Sequence, residues 1–162
     1  MQMDTHKEFM KLAIEEAKLA AALGEVPIGA LIVKDGEIVG RGHNTTGIGK
    51  DPTAHAEMNA IRDAVKALGG WKLPGCDMYV TVEPCSMCAG AIVLARIDRL
   101  FIGTEDPKGG ACVSLYRIVT DERLNHRVEL HTGILREECS AIMKDFFAAL
   151  RSAKLELPEE NE

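Results

Sequence analysis

Along the first quarter of the chain, Phe9, Ala13, Ala17 and Ala20 recur at helical spacing and mark one face of an α-helix. Thr5 with Glu8 three residues on reads as a capping box that opens this helix, and Gly24 is a suitable stop. The pattern then changes period. In "ALIVKDGEIVG", Ala30 to Gly40, two β-branched runs flank Asp35-Gly36, which predicts a hairpin. "HNTTGIGKDP" is polar and aperiodic, a loop. Helical spacing returns from about His55 to Leu68 and stops at Gly69-Gly70. "DMYVTV", Asp77 to Val82, alternates like a strand, and "CSMCAGAIVLAR" is apolar nearly all round, like a buried helix. A strand "RLFIGTE", a turn "DPKGG", a strand "RVELHTG" and a closing helix "REECSAIMKDFFAALR" complete the chain. Strands and helices alternating after an opening hairpin predict a mixed sheet covered by helices on both faces. No internal repeat or linker interrupts this order.

Composition narrows the class. A chain of 162 residues makes one domain with room for a substantial core. Apolar residues at 46% and charged residues at 27% fit a soluble globular protein. The longest apolar run, Cys88 to Ala95, is far too short to cross a bilayer. Asp4, Lys7 and Glu8 fall within a helical pattern with no apolar signal core, so a cytoplasmic location is expected. Five cysteines in such a chain favour thiols or metal ligands over a disulfide framework.

A net charge of −6 excludes a protein that is basic overall, as many nucleic-acid binders are. The charge is uneven, however. Between Ser152 and Glu162, Lys154 stands against Glu156, Glu159, Glu160 and Glu162. Residues 152–162 therefore read as an acidic, disordered tail, and residues 1–151 as a nearly balanced domain with room for a local basic patch.

The candidate chemistry lies in two short stretches. "TAHAEMNAIRDA" opens its helix with His55 and Glu57, two residues apart. On a regular helix these positions point in different directions, so the pair makes sense only if both reach off the helix end toward one object. A solvated first turn is the plain alternative for this stretch alone. "VEPCSMC", Val82 to Cys88, supplies the rest. Cys85 and Cys88 share one face of a first helical turn, and Pro84 suits a helix start. A helix N-terminus favours thiolate, which zinc requires. A C-x-x-C redox pair is the competing reading, but it has no use for a distant histidine. With His55 as third ligand, zinc keeps one open position, which is the catalytic arrangement. Zinc brings the pKa of bound water toward ~7, and Glu57 then stands ready to take that proton.

H-x-E followed by P-C-x-x-C is the signature of the zinc-dependent base deaminases. Here it reads His55-Ala56-Glu57 and Pro84-Cys85-Ser86-Met87-Cys88. The likeness extends through "GEVPIGA", "DPTAHAE", "GCDMYVTVEPCSMCAGAIVLARI", "DPKGGA", "LNHRVE" and "GILREECSAIMKDFF", covering roughly Thr5 to Arg151. The chain resembles the bacterial tRNA-specific adenosine deaminases. The zinc signature is shared with guanine and cytosine deaminases, whereas "EVPIGA", "DPKGGA" and "NHR" are closer to the tRNA enzymes.

That resemblance implies a cytidine-deaminase-like α/β/α sandwich around a mixed five-stranded sheet. It implies one zinc per chain, a homodimer, and conversion of the wobble adenosine of an arginine tRNA anticodon to inosine. Glu57 would be the acid/base, and His55, Cys85 and Cys88 the ligands. Val26, Pro27, Asn44 and Ala56 would hold the flipped adenine. Asp106, Lys108, Asn125 and Arg127 would hold the anticodon stem-loop. One departure stands out: Val113 occupies a position that is usually glycine in the family. Two rival functions are weighed beside this one, a free-base or nucleoside deaminase such as guanine deaminase, and a non-catalytic zinc or RNA-binding partner subunit. The presence of Glu57 counts against the second.

Overall fold

The computed structural model describes residues 2–156. Its elements are α1 (Gln2–Ala22), β1 (Gly29–Lys34), β2 (Glu37–His43), α2 (Thr46–Gly49), α3 (Ala56–Leu68), β3 (Cys76–Val82), α4 (Ser86–Leu94), β4 (Arg99–Thr104), β5 (Glu129–His131) and α5 (Arg136–Glu156). The strands form one five-stranded sheet in the order β2-β1-β3-β4-β5. β1 is antiparallel to both β2 and β3, while β3, β4 and β5 are parallel. Consequently β2, β3, β4 and β5 all run the same way and end at the same edge. In open α/β sheets, ligand crevices form at that carboxyl edge.

Period-2 alternation divides the strand residues between two cores. Ala30, Ile32, Met78, Val80, Leu100 and Ile102 face one side, where α3 and α4 supply Ala56, Ala60, Ala64, Ala89, Ile92 and Val93. Leu31, Val33, Tyr79 and Phe101 face the other, where α1 and α5 supply Met10, Ala13, Ile14 and Cys139. The result is the three-layer α/β/α sandwich that the resemblance implied.

The turn at Asp35-Gly36 has φ of +51° and +78°, the left-handed pair that a two-residue hairpin of this twist requires. Further along β2, glycine serves packing. A Cβ on Gly42 would lie 2.3 Å from the Ala56 carbonyl oxygen, and one on Gly40 would lie 2.5 Å from that of Ala60. These glycines let α3 rest directly on the sheet, which fixes the position of its N-terminal end.

Three boundaries differ from the sequence reading. α1 begins at Gln2, so Thr5 lies inside the helix and the proposed capping box does not start it. The residues ahead of Thr5 include no breaker, and Asp4 favours a first turn. α5 continues through Glu156, so the first five residues of the expected disordered tail are helical. Ala153 and Lys154 are strong helix formers, and nothing between Arg151 and Glu156 interrupts the ladder. Residues 157–162 lie outside the described part. Finally, the loop after β2 contains the short helix α2.

Candidate active site

Two helix N-termini meet at the carboxyl edge of the sheet. His55 is the N-cap of α3, with extended backbone at φ −74°, ψ 158°. Cys85 is the N-cap of α4, likewise extended at φ −72°, ψ 177°. N-caps usually spend their side chain on a free amide of the helix. Neither residue does so here, and both side chains point at a common centre instead. This resolves the odd spacing of His55 and Glu57: one residue precedes the helix and the other belongs to its first turn.

His55 Nδ1 lies 3.5 Å from Cys85 Sγ and 3.5 Å from Cys88 Sγ. The three potential ligand atoms all lie within 4.8 Å of one another. A tetrahedral ion with Zn–S of about 2.3 Å and Zn–N of about 2.0–2.1 Å sets its nitrogen and sulfur ligands ~3.5 Å apart, so the three residues fit zinc. Cys88 is fully buried, while His55 and Cys85 are half-buried, leaving the cluster open on one side.

Without metal, the Cys88 thiol donates to Cys85 and, with the amides of Cys88 and Met87 and the His55 ring, brings the Cys85 thiol down to about 5 against the effect of burial. Cys88, the donor in this pair and buried beside Glu57, is pushed up. The Glu57 carboxyl is 4% exposed. Burial raises it to about 7, with the Cys85 sulfur adding to the rise and its own amide, the Cys88 thiol and His55 opposing it. A carboxyl so placed can both take and give a proton near neutrality.

Asn44, expected to contact the base, links the end of β2 to the segment before β1 that carries Val26 and Pro27. Asn44 is 6% exposed. Its amide group donates to the Val26 carbonyl at 3.4 Å, and its Oδ1 accepts the Thr46 N–H at 3.2 Å. Two residues missed by sequence reading support the same stretch. The buried Glu25 carboxylate accepts the N–H groups of Gly47 at 3.2 Å and Ile48 at 2.6 Å. Asn59 donates to the His43 carbonyl at 2.9 Å and to Thr45 Oγ1 at 3.1 Å.

Asp106 and Lys108 lie in the segment after β4. Asp106 Oδ1 accepts the N–H groups of Lys108 at 3.1 Å and Gly109 at 3.3 Å, which sets a tight turn. Val26, Ile28, Asp106 and Lys108 share a cleft of ≈ 730 Å³ with Met143, Lys144, Phe147 and Arg151 of α5. The α5 contribution was also missed, because its residues read equally well as an ordinary amphipathic helix.

The segment folds around Glu83, a third unforeseen residue, 3% exposed. Its carboxylate accepts N–H groups from Asp106 at 3.0 Å, Cys112 at 3.0 Å, Val113 at 2.8 Å and Ser114 at 2.9 Å. The Ser114 hydroxyl donates to it as well. Burial pushes this carboxyl up, but the Ser114 hydroxyl and the amides of Ser114, Val113 and Asp106 outweigh that and hold it below the usual range. Val113 joins this arrangement without a positive φ, so the backbone here does not need the family's glycine.

Asn125 and Arg127 fall elsewhere. His126 between them bonds the Ile97 carbonyl at 2.7 Å, just before β4 begins, whereas Asp106 and Lys108 follow the end of β4. Six residues of strand separate the two places, ~20 Å at ~3.3 Å per residue. Within one chain, then, the four residues expected to hold the stem-loop form two separate groups. Arg127 sits 3.5 Å from Glu122, and Arg123 is paired with Asp121 at 2.7 Å.

Fold and site together define a deaminase of the cytidine-deaminase-like class. Residues 3–151 match the MafB19-like deaminase family. The tRNA-specific adenosine deaminase of Bacillus subtilis is 49% identical over 146 residues, 90% of this chain and 91% of its own. That of Aquifex aeolicus is 48% identical over 144 residues, 89% of this chain and 95% of its own. A structure from work on A-to-I editing by tRNA:A34 deaminases superposes with a TM-score of 0.81 at 47% identity, covering 83% of this chain and 98% of that one. A guanine deaminase from Nitrosomonas europaea shares the fold, with a TM-score of 0.76 at 21% identity, covering 86% and 82%. The chain belongs to the tRNA-specific adenosine deaminase family.

Proposed function

We propose that this protein hydrolytically deaminates adenosine to inosine at the wobble position of a tRNA anticodon, with an arginine tRNA as the expected substrate. The observation that carries the reading is the buried Glu57 carboxyl beside three ligand atoms spaced for zinc. His55, Cys85 and Cys88 would hold one zinc ion, whose contribution when bound is to activate a water molecule for attack on carbon 6 of the base. Glu57 handles the protons. It takes one from the water and delivers it to the ring nitrogen beside carbon 6, then takes the proton of the new carbon-6 hydroxyl and passes it to the departing amine, so that ammonia leaves and the carbonyl of inosine remains. The base must be splayed out to reach a buried carboxyl, which suits an unpaired anticodon loop.

The cleft between Val26, the turn at Asp106 and Lys108, and α5 suits the flanking RNA. Lys108, Lys144 and Arg151 bring positive charge to it despite the net −6 of the chain, and Phe147 offers an exposed ring on which a base can stack. The expected result is deamination of an arginine-tRNA anticodon stem-loop. Lys108→Ala should weaken binding and lower the salt slope of log affinity by about 0.7–0.9, with zinc content unchanged. Turnover of guanine or cytosine with the stem-loop untouched would assign the site to a free base instead.

We also propose a cytoplasmic homodimer. Among the described residues, no helix is long and apolar enough to cross a membrane. On α4, Cys88, Ala89, Ile92 and Val93 are buried in the core, while Met87, Gly90, Ala91 and Leu94 form an outward apolar stripe at helical spacing. Leu94 is 68% exposed, which suits a surface that a second copy covers. Light scattering at micromolar concentration should give twice the 17.6 kDa chain mass; a monomer would reject this assignment.

A further inference from the structure

We propose that Glu83 is a positioning residue that locks the substrate-facing segment 105–114 onto the metal-ligand turn, so that the cleft is formed before RNA arrives. This rests on the reading of that cleft as the RNA site. The hydrogen bonds carry the argument. One buried carboxylate gathers the amides of Asp106, Cys112, Val113 and Ser114 and the Ser114 hydroxyl. The residues it gathers span nine positions of chain, from Asp106 at one end of the segment to Ser114 at the other.

Glu83 itself is held at both sides. Its own N–H donates to the Thr104 carbonyl at 2.9 Å, and the carbonyl of the next residue, Pro84, accepts the Ala111 N–H at 2.8 Å. Cys85 follows directly. The segment that presents Asp106 and Lys108 to the cleft is thus wrapped around a residue two positions from a metal ligand. Packing confirms how closely it is wrapped. A Cβ on Gly110 would lie 2.2 Å from the Glu83 carboxyl carbon, so only glycine lets the segment close over the carboxylate.

Without Glu83, four amides and a hydroxyl would lose their common acceptor, and no regular secondary structure holds the segment in its place. The chemistry at Glu57 and the three ligands would remain, but the cleft would have to be ordered at the moment of binding. That cost falls on substrate binding rather than on the chemical step.

The test uses the zinc-loaded full chain with Glu83→Gln, which keeps the side-chain shape but replaces an acceptor oxygen with a donor. Expected are faster amide hydrogen exchange confined to residues 105–114 and stoichiometric zinc. KM for the stem-loop should rise about tenfold or more, with kcat within about threefold. Unchanged exchange and KM would overturn the proposal. So would a loss of kcat in step with zinc at constant KM, which would make Glu83 a support for the metal alone. Gly110→Ala reaches the same contact from the other side and covers the case in which Glu83→Gln does not fold. It should raise KM likewise, and a wild-type KM there would also overturn the proposal. If wild-type protein ignores the stem-loop, the RNA reading fails, and the exchange measurement still decides whether Glu83 fixes the segment.

Discussion

Glu57→Ala should keep its zinc and its fold and lose deamination by ~10²–10⁴-fold, the usual contribution of a general acid/base. The size follows from the lack of a substitute. The other ionisable groups at the centre, His55, Cys85 and Cys88, have their lone pairs committed once a metal is bound. Glu57 carries more than one proton per turnover, so its loss affects several barriers together, and the upper part of that range is expected. Retention of metal is equally specific to this assignment. The carboxyl stands in the first turn of α3 without being one of the three ligand atoms, so removing it leaves the ligand set complete. The measurement is single-turnover deamination by variant protein of verified zinc content, with circular dichroism to confirm the fold. Near-normal turnover by zinc-loaded Glu57→Ala would move the proton work to another residue.

Metal loss is the second large effect. Wild-type protein should carry about one zinc per chain, and Cys88→Ala should carry little, with activity falling to background. Cys88 is the most buried ligand, and its removal leaves only Cys85 and His55, a pair too few to hold the ion against competing thiols. Stability should fall too. A ligand that binds only the folded chain adds about 2.7 kcal/mol when present at a hundred times its Kd, so a chelator should lower the Tm of wild type but not of Cys88→Ala. Elemental analysis beside a thermal melt checks both. A wild-type protein that is active and metal-free would remove zinc from the account.

What could be read in advance was whatever depends on near neighbours in the chain. The hairpin follows from Asp35-Gly36 alone, because only a left-handed pair makes that turn. The grouping of His55, Cys85 and Cys88 was legible from two short motifs and their shared signature. The misreadings have the opposite character. Glu25 caps α2 from 22 residues away, and Glu83 gathers amides 23 to 31 residues downstream, so neither partner set shows locally. Glu83 is buried and so needs partners, but nothing near it in the sequence identifies them. Asn125 and Arg127 follow Lys108 closely in sequence, yet the chain returns to the far end of β4 before β5 begins. The resemblance assigned all four to the stem-loop, and within one chain the fold sets the two pairs at opposite ends of β4. At the ends of α1 and α5, helix propensity simply outran the cap and tail signals.

The placing of His55 and Cys85 at N-caps bears on which ions the centre can accept. Their backbones are set by the helices that they begin, and those helices pack against the sheet, so the three donors converge from two fixed starts. Magnesium prefers six hard oxygen ligands, and calcium six to eight at longer distances, whereas this centre offers one imidazole nitrogen and two sulfurs 3.5 Å from it. Discrimination against magnesium and calcium is therefore a property of the donor set that the starts of two helices bring together.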